Sequence, residues 1–165
     1  MKMRTREALK VADEVWVATA LLHREHPTET DFSVRDIVER ARREAVDAPL
    51  RAGVYVHAAQ HCVANRPPSP AKHRLLFETR PNRRRLYRVG DLHHPARHEG
   101  KCAPNIGDLP PRYRALLDWY DTEYVGRPSR ASRMDPLLAL RGSGKKVWAK
   151  EHADRYVRRL RAGWR

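Results

Sequence analysis

An arginine run at residues 83–85 is the first feature of the sequence whose residue types suggest a chemistry. Guanidinium groups bind phosphate through paired, charge-assisted hydrogen bonds. Further basic side chains precede the run, at Lys72, Arg74 and Arg80. A charge run alone is typical of a solvated surface, so its meaning depends on the element that carries it.

A histidine-rich segment suggests zinc, because zinc accepts neutral imidazole and thiolate ligands. Its candidates are His93, His94, His98 and Cys102. No paired Cys-x2-Cys motif accompanies them, and Pro95 interrupts any helix that would align them. We predict neither a metal nor a cofactor, although the sequence leaves zinc binding by this loop open.

Motifs for catalysis are incomplete. Cys62 and His61 are adjacent, so on a helix their side chains point about 100° apart. The stretch 142–146 (GSGKK) resembles half a phosphate-binding loop, without the full Gly-x4-Gly-Lys-Ser/Thr pattern. We therefore predict that the protein is not an enzyme.

Positive charge is concentrated towards the end of the chain. The chain has 165 residues and a formal net charge of +14. The net charge is −1 over residues 1–50, +6 over 51–125 and +9 over 126–165. A locally dense cationic surface binds polyanions by releasing their counterions, so nucleic acid is the favoured partner. No apolar run reaches the length of a membrane span, and with two cysteines we expect a cytoplasmic protein without a membrane partner.

The helices that would position these residues start with two amphipathic segments. Apolar residues recur at steps of three and four over 5–25, and His26-Pro27 predicts the end of this first helix. Ser33 is a good N-cap for a second helix, and Asp36 falls in its first turn, where a negative charge suits the helix dipole.

A third helix is predicted from about residue 50 to 64, where two faces compete for burial. One face consists of Val54, Ala58 and Cys62, and the other of Ala52, Val56, Ala59 and Val63. Periodicity does not decide between them.

A β-hairpin follows the proline-rich break at 66–70. The predicted strands are 74–78 and 84–89, with turn-forming residues between them. Alternation suggests that Leu75, Phe77 and Leu86 share one face and that Tyr87 lies on the other.

Three helices and a hairpin predict a mainly α fold with a small β-hairpin: a winged helix-turn-helix with a C-terminal helical extension. We expect this domain over 5–92, a loop and an aromatic helix packed on it over 93–125, and a linker with a basic tail over 126–165. In this arrangement the third helix enters the major groove of DNA and the hairpin holds flanking phosphates. The predicted DNA-binding residues are Arg51, Tyr55, His57, Gln60, His61, Lys72, Arg74, Arg80, Asn82, Arg83, Arg84 and Arg85.

The middle of the chain resembles a poorly characterised prokaryotic family described as winged-helix-like. The matching blocks are 62–68 (CVANRPP), 83–91 (RRRLYRVGD), 94–97 (HPAR) and 100–101 (GK), within about residues 10–125. The resemblance implies a winged-helix fold and DNA binding, and no particular substrate.

The tail is similar to the C-terminal segments of toxin–antitoxin antitoxins, which bind toxins and follow varied DNA-binding domains. The similarity covers 135–148 and 156–164, but this copy is strongly basic. Its apolar residues are more than a solubilising tail needs, so it either docks on its own domain or orders on a partner. The predicted partner-binding residues are Leu137, Leu138, Leu140, Trp148, Tyr156, Leu160 and Trp164.

Together these features predict a sequence-specific double-stranded DNA-binding protein that acts as a transcriptional regulator. An antitoxin-like autorepressor with a toxin partner is its most specific form, and such proteins often work as homodimers. The alternative is a protein-interaction adaptor, in which the hairpin and the tail dock a partner. The DNA sequence, the protein partner and the oligomeric state are not readable from these residues.

Overall fold

The structure is a computed structural model that describes residues 9–45 and 49–126, together with Arg158, Arg161 and Ala162. The chain divides into two units, Met1–Arg127 and Pro128–Arg165. Almost all described residues belong to the first unit, which contains every element presented below.

Helix α1, Val11–Glu25, forms the centre of the core. Val15, Trp16, Ala18 and Leu22 are buried along it, as its apolar spacing predicts. The helix ends where His26 donates its backbone N–H to the Leu22 carbonyl at 2.9 Å, directly before Pro27. The predicted end of this helix is confirmed.

Helix α2, Val34–Glu44, begins with a capping box. The N–H of Asp36 donates to Ser33 Oγ at 3.0 Å, and the N–H of Ser33 donates to Asp36 Oδ2 at 3.0 Å. Two backbone donors at the start of the helix are thus satisfied reciprocally, and the predicted N-cap is confirmed.

The third helix is shorter and less regular than predicted. An α-helical turn, α3, spans Gly53–Val56 and continues as a π-helical turn, His57–His61. Val54, Ala58 and Cys62 are buried, whereas Val56 is 41% exposed. All of the face with Val54 is therefore buried, whereas the competing face is exposed at Ala52 and Val56 and buried only at its end, at Val63.

The sheet has three antiparallel strands: β1, Phe32–Ser33; β2, Leu76–Arg80; and β3, Arg83–Leu86. Strand β3 lies in the middle, so the order is β1-β3-β2. The hairpin was predicted, but β1 was not. A strand of two residues is too short to show an alternation of apolar and polar side chains. The predicted facing was wrong by one residue, since Leu76, not Leu75 or Phe77, pairs with Leu86 in the core.

The segment after the hairpin packs on the same core. Single 3-10 turns occur at Pro95–Arg97 and Ile106–Asp108. Helix α4, Pro111–Trp119, then continues as a π-helical turn, Tyr120–Tyr124. The rings of Trp16 and Tyr120 meet edge to face with centroids 5.5 Å apart. The aromatic stripe of this helix is therefore part of the core.

The observed fold is a set of helices with a small three-stranded antiparallel sheet, compatible with the predicted mainly α class. In the parts of the chain that the structure describes, no helix is long and apolar enough to cross a membrane. The seven apolar residues predicted to bind a partner, between Leu137 and Trp164, lie outside the described residues.

Candidate nucleic-acid interface

The hairpin turns tightly at Pro81 and Asn82, between the ends of β2 and β3. Asn82 has a φ of 61°, a left-handed conformation that Asn tolerates better than most residues. Arg80, Pro81 and Asn82 are exposed at this tip, and the Arg80 side chain is 67% exposed. The predicted residues Arg80 and Asn82 are therefore accessible to a partner.

Arg84 points inward from β3 and is 1% exposed. Its Nη1 lies 3.1 Å from Glu78 Oε1 on β2 and donates to the Arg83 carbonyl at 2.9 Å. Its Nη2 donates to the carbonyl of Ala59, in the π-helical turn after α3, at 3.1 Å. Arg84 thus ties the hairpin to the third helix and presents no guanidinium to a ligand.

Arg83 and Arg80 converge on Asp31, the buried residue before β1. Arg83 Nε donates to Asp31 Oδ1 at 2.5 Å, and Arg83 Nη2 donates to the Asp31 carbonyl at 2.7 Å. Thr79 Oγ1 adds a hydrogen bond of 2.6 Å to the same carboxylate. Arg80 is held more weakly, with 3.5 Å between Nη2 and Oδ1. Asp31 therefore anchors the hairpin tip to the segment before β1.

Arg85 is paired with Asp91 through two hydrogen bonds of 2.7 Å each. Its guanidinium also lies 4.6 Å from the centroid of the Phe77 ring. Both contacts hold the side chain against its own domain.

The three carboxylates that bind these arginines are shifted to stay ionised. Arg66 lowers the pKa of Glu78 through its hydrogen bonds and outweighs burial. Burial alone would raise the pKa of Asp31 and of Asp91, but hydrogen bonds to their partners outweigh it and lower both values. Each arginine of the 83–85 run therefore has an anionic partner in its own chain. The expectation that these three arginines form an exposed cationic surface is wrong.

The outward side of the third helix is the part of the predicted interface that stays open. Tyr55 is 57% exposed and is flanked by the exposed Val56, and Gln60 is exposed one turn later. The side chains of Tyr55 and Gln60 make no hydrogen bond within the described part of the chain. Tyr55 and Gln60 can therefore meet a partner without breaking a side-chain hydrogen bond among the described residues.

Other predicted residues of this region already contact side chains of their own domain. Arg51 donates to Glu14 Oε2 at 3.1 Å through Nε, which fixes the start of the helix on α1. The rings of His57 and His61 lie edge to face with centroids 4.9 Å apart. Burial, together with His57 and Arg97, lowers the pKa of His61, which favours its neutral form. Neither histidine is fully exposed.

The remaining predicted cations differ in accessibility. Lys72 is exposed and has no ion pair in the described ranges. Arg74 is half-buried, where Nε donates to the Gly100 carbonyl at 3.0 Å and the guanidinium lies 5.5 Å from the centre of the Tyr87 ring. Lys72 and Arg80 are therefore the predicted side chains best placed to reach a phosphate.

Arg97 supports the loop after the third helix and was not among the predicted functional residues. It is 0% exposed and has no carboxylate partner among described residues. Its guanidinium instead donates to six backbone carbonyls, those of Gln60, His61, Arg66, Pro67, Ala71 and His73. Burial lowers its pKa, but an arginine still carries its charge. This network ties the end of the third helix to the loop that leads to the hairpin.

The histidine-rich loop does not assemble a metal shell. His93 Nε2 lies 3.3 Å from His98 Nδ1, and the two rings stack. His94 instead accepts the Ala96 N–H at 3.2 Å. Within residues 9–45 and 49–126, no group of three or more His, Cys, Asp or Glu residues is placed to hold a metal ion.

Sequence reasoning missed the carboxylates that bind the arginines of the 83–85 run, one of them distant along the chain and two of them close. Asp31 lies 52 positions before Arg83, and no spacing rule connects the two. Glu78 faces Arg84 across the hairpin, so the correct strand register is the signal that would have revealed that pair.

No protein-family model, no curated protein and no solved structure matches the chain. The resemblance to a winged-helix-like family and the absence of enzymatic activity therefore stay predictions.

Proposed function

We propose that the protein is a winged-helix transcriptional regulator that binds double-stranded DNA with the outward side of its third helix. The observation that carries this proposal is the open surface formed by Tyr55, Val56 and Gln60 on that helix. Most neighbouring polar side chains are engaged internally, whereas this surface keeps its side-chain hydrogen-bonding groups available for base edges.

The topology supports the same proposal. The elements follow the order α1-β1-α2-α3-β2-β3, and β3 lies between β1 and β2. In a winged helix this arrangement places two helices behind a recognition helix and a hairpin beside it. Arg84 and Arg97 connect the third helix to the hairpin and to the following loop, so the two sides of the surface are rigidly related.

Phosphate binding is assigned to two of the predicted cations and to the C-terminal segment, and no longer to the 83–85 run. Residues 83–85 hold the hairpin in place, and Lys72, before the hairpin, and Arg80, at its tip, supply accessible charge. The segment 126–165, with a net charge of +9, supplies the larger non-specific attraction. An antitoxin-like autorepressor, in which apolar residues of this segment bind a toxin, is the most specific form of the proposal.

Selection from a randomised duplex library, followed by anisotropy titrations over a range of salt concentrations, tests the proposal. We expect the double variant Tyr55→Ala, Gln60→Ala to lose about tenfold or more of its preference for the selected duplex over a scrambled one. Its salt dependence should stay unchanged. Arg35→Gln, at an exposed residue of α2, is the control.

A second variant separates phosphate binding from base recognition. Replacing Lys145, Lys146 and Lys150 by Gln should weaken binding to both duplexes equally. It should also flatten the slope of log K against log salt by up to about 2.7, since each lysine that neutralises a phosphate adds roughly 0.9 to that slope. If no sequence is enriched and neither variant changes binding, the DNA proposal is wrong.

A protein-interaction adaptor is the second candidate, favoured by the apolar character of Tyr55 and Val56. Exposed aromatic and aliphatic side chains next to each other are typical of protein interfaces. An adaptor would bind every duplex alike, and Tyr55→Ala would weaken a protein complex without changing DNA affinity.

A further inference from the structure

A cleft of about 530 Å³ opens on a part of the domain that the DNA proposal does not use. It lies between the end of α1, the turn before β1, the residue Arg88 after β3 and the last turn of the α4 segment. Its volume is within the range of small-molecule sites. The third helix contributes none of the described residues that line it.

Aromatic rings form one wall of this cleft. The ring centroids of Trp119 and Tyr124 are 5.6 Å apart, and the His23 ring lies 4.8 Å from Tyr124. The guanidinium of Arg88 lies 4.5 Å from the centroid of the Tyr124 ring. A wall of this kind favours a planar ring, through stacking and cation–π contact.

His23 adds no charge to this wall at neutral pH. Burial, with Arg88 and Arg85 nearby, lowers the pKa of His23 to about 4. Its Nε2 accepts the backbone N–H of Leu86 at 3.4 Å, so the neutral ring is also fixed in orientation. The charge of the cleft therefore comes from its rim.

The rim carries two cations, Arg24 and Arg88, and two anions, Glu29 and Glu123. All four residues are exposed, and none has an ion-pair partner within the described ranges. In this respect Glu29 and Glu123 differ from the carboxylates that form ion pairs within the domain. Paired carboxylates elsewhere in the domain include Asp13, Glu14, Asp31, Glu78 and Asp91.

We infer that this cleft binds a small aromatic zwitterion of the aromatic α-amino-acid class. The ring would stack on Trp119, beside Tyr124, whose own ring already packs against Arg88 and Tyr120. The carboxylate would meet Arg24 and Arg88, and the ammonium would meet Glu29 and Glu123. A ligand with only one charge would leave one pair of rim groups without a counter-charge. A ligand that carries both signs sets an opposite charge beside each pair.

Calorimetric titration of the full chain with three matched ligands tests this inference. L-Phenylalanine carries both charges, 3-phenylpropionate lacks the ammonium, and phenethylamine lacks the carboxylate. We expect L-phenylalanine to bind at least about tenfold more tightly than either analogue, because each missing charge removes charge-assisted hydrogen bonds.

Two variants test which rim residues recognise the ammonium and which recognise the carboxylate of the ligand. Glu123→Gln should remove most of the preference for L-phenylalanine over 3-phenylpropionate. Arg88→Gln should remove most of its preference over phenethylamine. Glu99→Gln and Arg35→Gln are the matched controls, because both residues are exposed and lie outside the cleft. The thermal midpoint of each variant verifies folding.

Three results would overturn the inference: no heat of binding at millimolar L-phenylalanine, equal affinities for all three ligands, or variants that leave the preferences unchanged. The wild-type comparison needs no variant, so a variant that fails to fold does not remove the test. Because the cleft and the third helix share no described residue, a failed DNA proposal leaves this outcome unaffected.

Discussion

Arg84 on β3 and Glu78 on β2 face each other across the hairpin, with 3.1 Å between Nη1 and Oε1 and with the arginine side chain 1% exposed. Glu78 is shared with Arg66, whose Nε and Nη2 donate to it at 2.6 and 2.8 Å. One carboxylate thus holds an arginine from the strand and another from the loop after the third helix. Arg84 can lie in the interior because its counter-charge is built into the same domain.

Arg84→Met should reduce the free energy of unfolding by about 3 kcal/mol. The substitution removes one partner of a buried pair and leaves the Ala59 carbonyl without its donor. Urea denaturation measures the change, and Arg80→Met, at the exposed hairpin tip, should cost less than about 0.5 kcal/mol. Equal effects of the two substitutions would contradict the buried role of Arg84.

Arg97→Lys should destabilise the protein by about 3 kcal/mol although it conserves charge. A lysine ammonium has three donors on a flexible stem and does not reproduce the planar fork that reaches six carbonyls from Gln60 to His73. Arg35→Lys, at an exposed position, is the control. Hydrogen exchange of residues 60–73 should rise in Arg97→Lys, and unchanged protection there would disprove the assignment.

His23 should make the folded state less stable as pH falls. Its folded pKa of about 4 lies below its ordinary value of 6.5, so the unfolded chain binds the proton more readily between these values. The stability from neutral His23 is therefore present above pH 6.5 and decreases down to pH 4, by up to about 3 kcal/mol. Chemical denaturation at intervals from pH 7 to pH 4 follows this loss.

The matched comparison for that pH dependence is His23→Gln against His26→Gln. His26 is exposed, so its replacement should leave the pH profile of stability unchanged. His23→Gln should be less stable at pH 7 but should lose less on acidification. A wild-type-like slope in His23→Gln would assign the loss to other groups.

Gly100→Ala should destabilise the domain by about 2 kcal/mol or more. A Cβ at this position would lie 1.6 Å from the backbone oxygen of Lys72, so one of the two segments must move. Gly107→Ala is the control, because a Cβ there meets nothing within 4 Å. Thermal unfolding of the two variants is compared. A loss of stability in Gly100→Ala alone reports the close backbone contact, whereas an equal loss in both variants would report a general effect of replacing glycine.

Elements whose causes are local could be predicted from the amino-acid sequence. The end of α1 at His26 and the capping box of Ser33 and Asp36 depend on nearby residues. The hairpin was also recognisable, although its bounds and facing were displaced. The uneven charge, with +9 over 126–165, is a property of composition and needs no fold.

The roles of the arginines, in contrast, are set by folding in three dimensions. Asp31 lies 52 positions before Arg83, whereas Glu78 and Asp91 are near in sequence to Arg84 and Arg85, and only the folded hairpin shows which arginine each carboxylate meets. Burial of Val54 likewise depends on packing against α1 and α2, which periodicity does not encode. An ion pair and a buried face depend on distance in space, whereas a motif records distance along the chain.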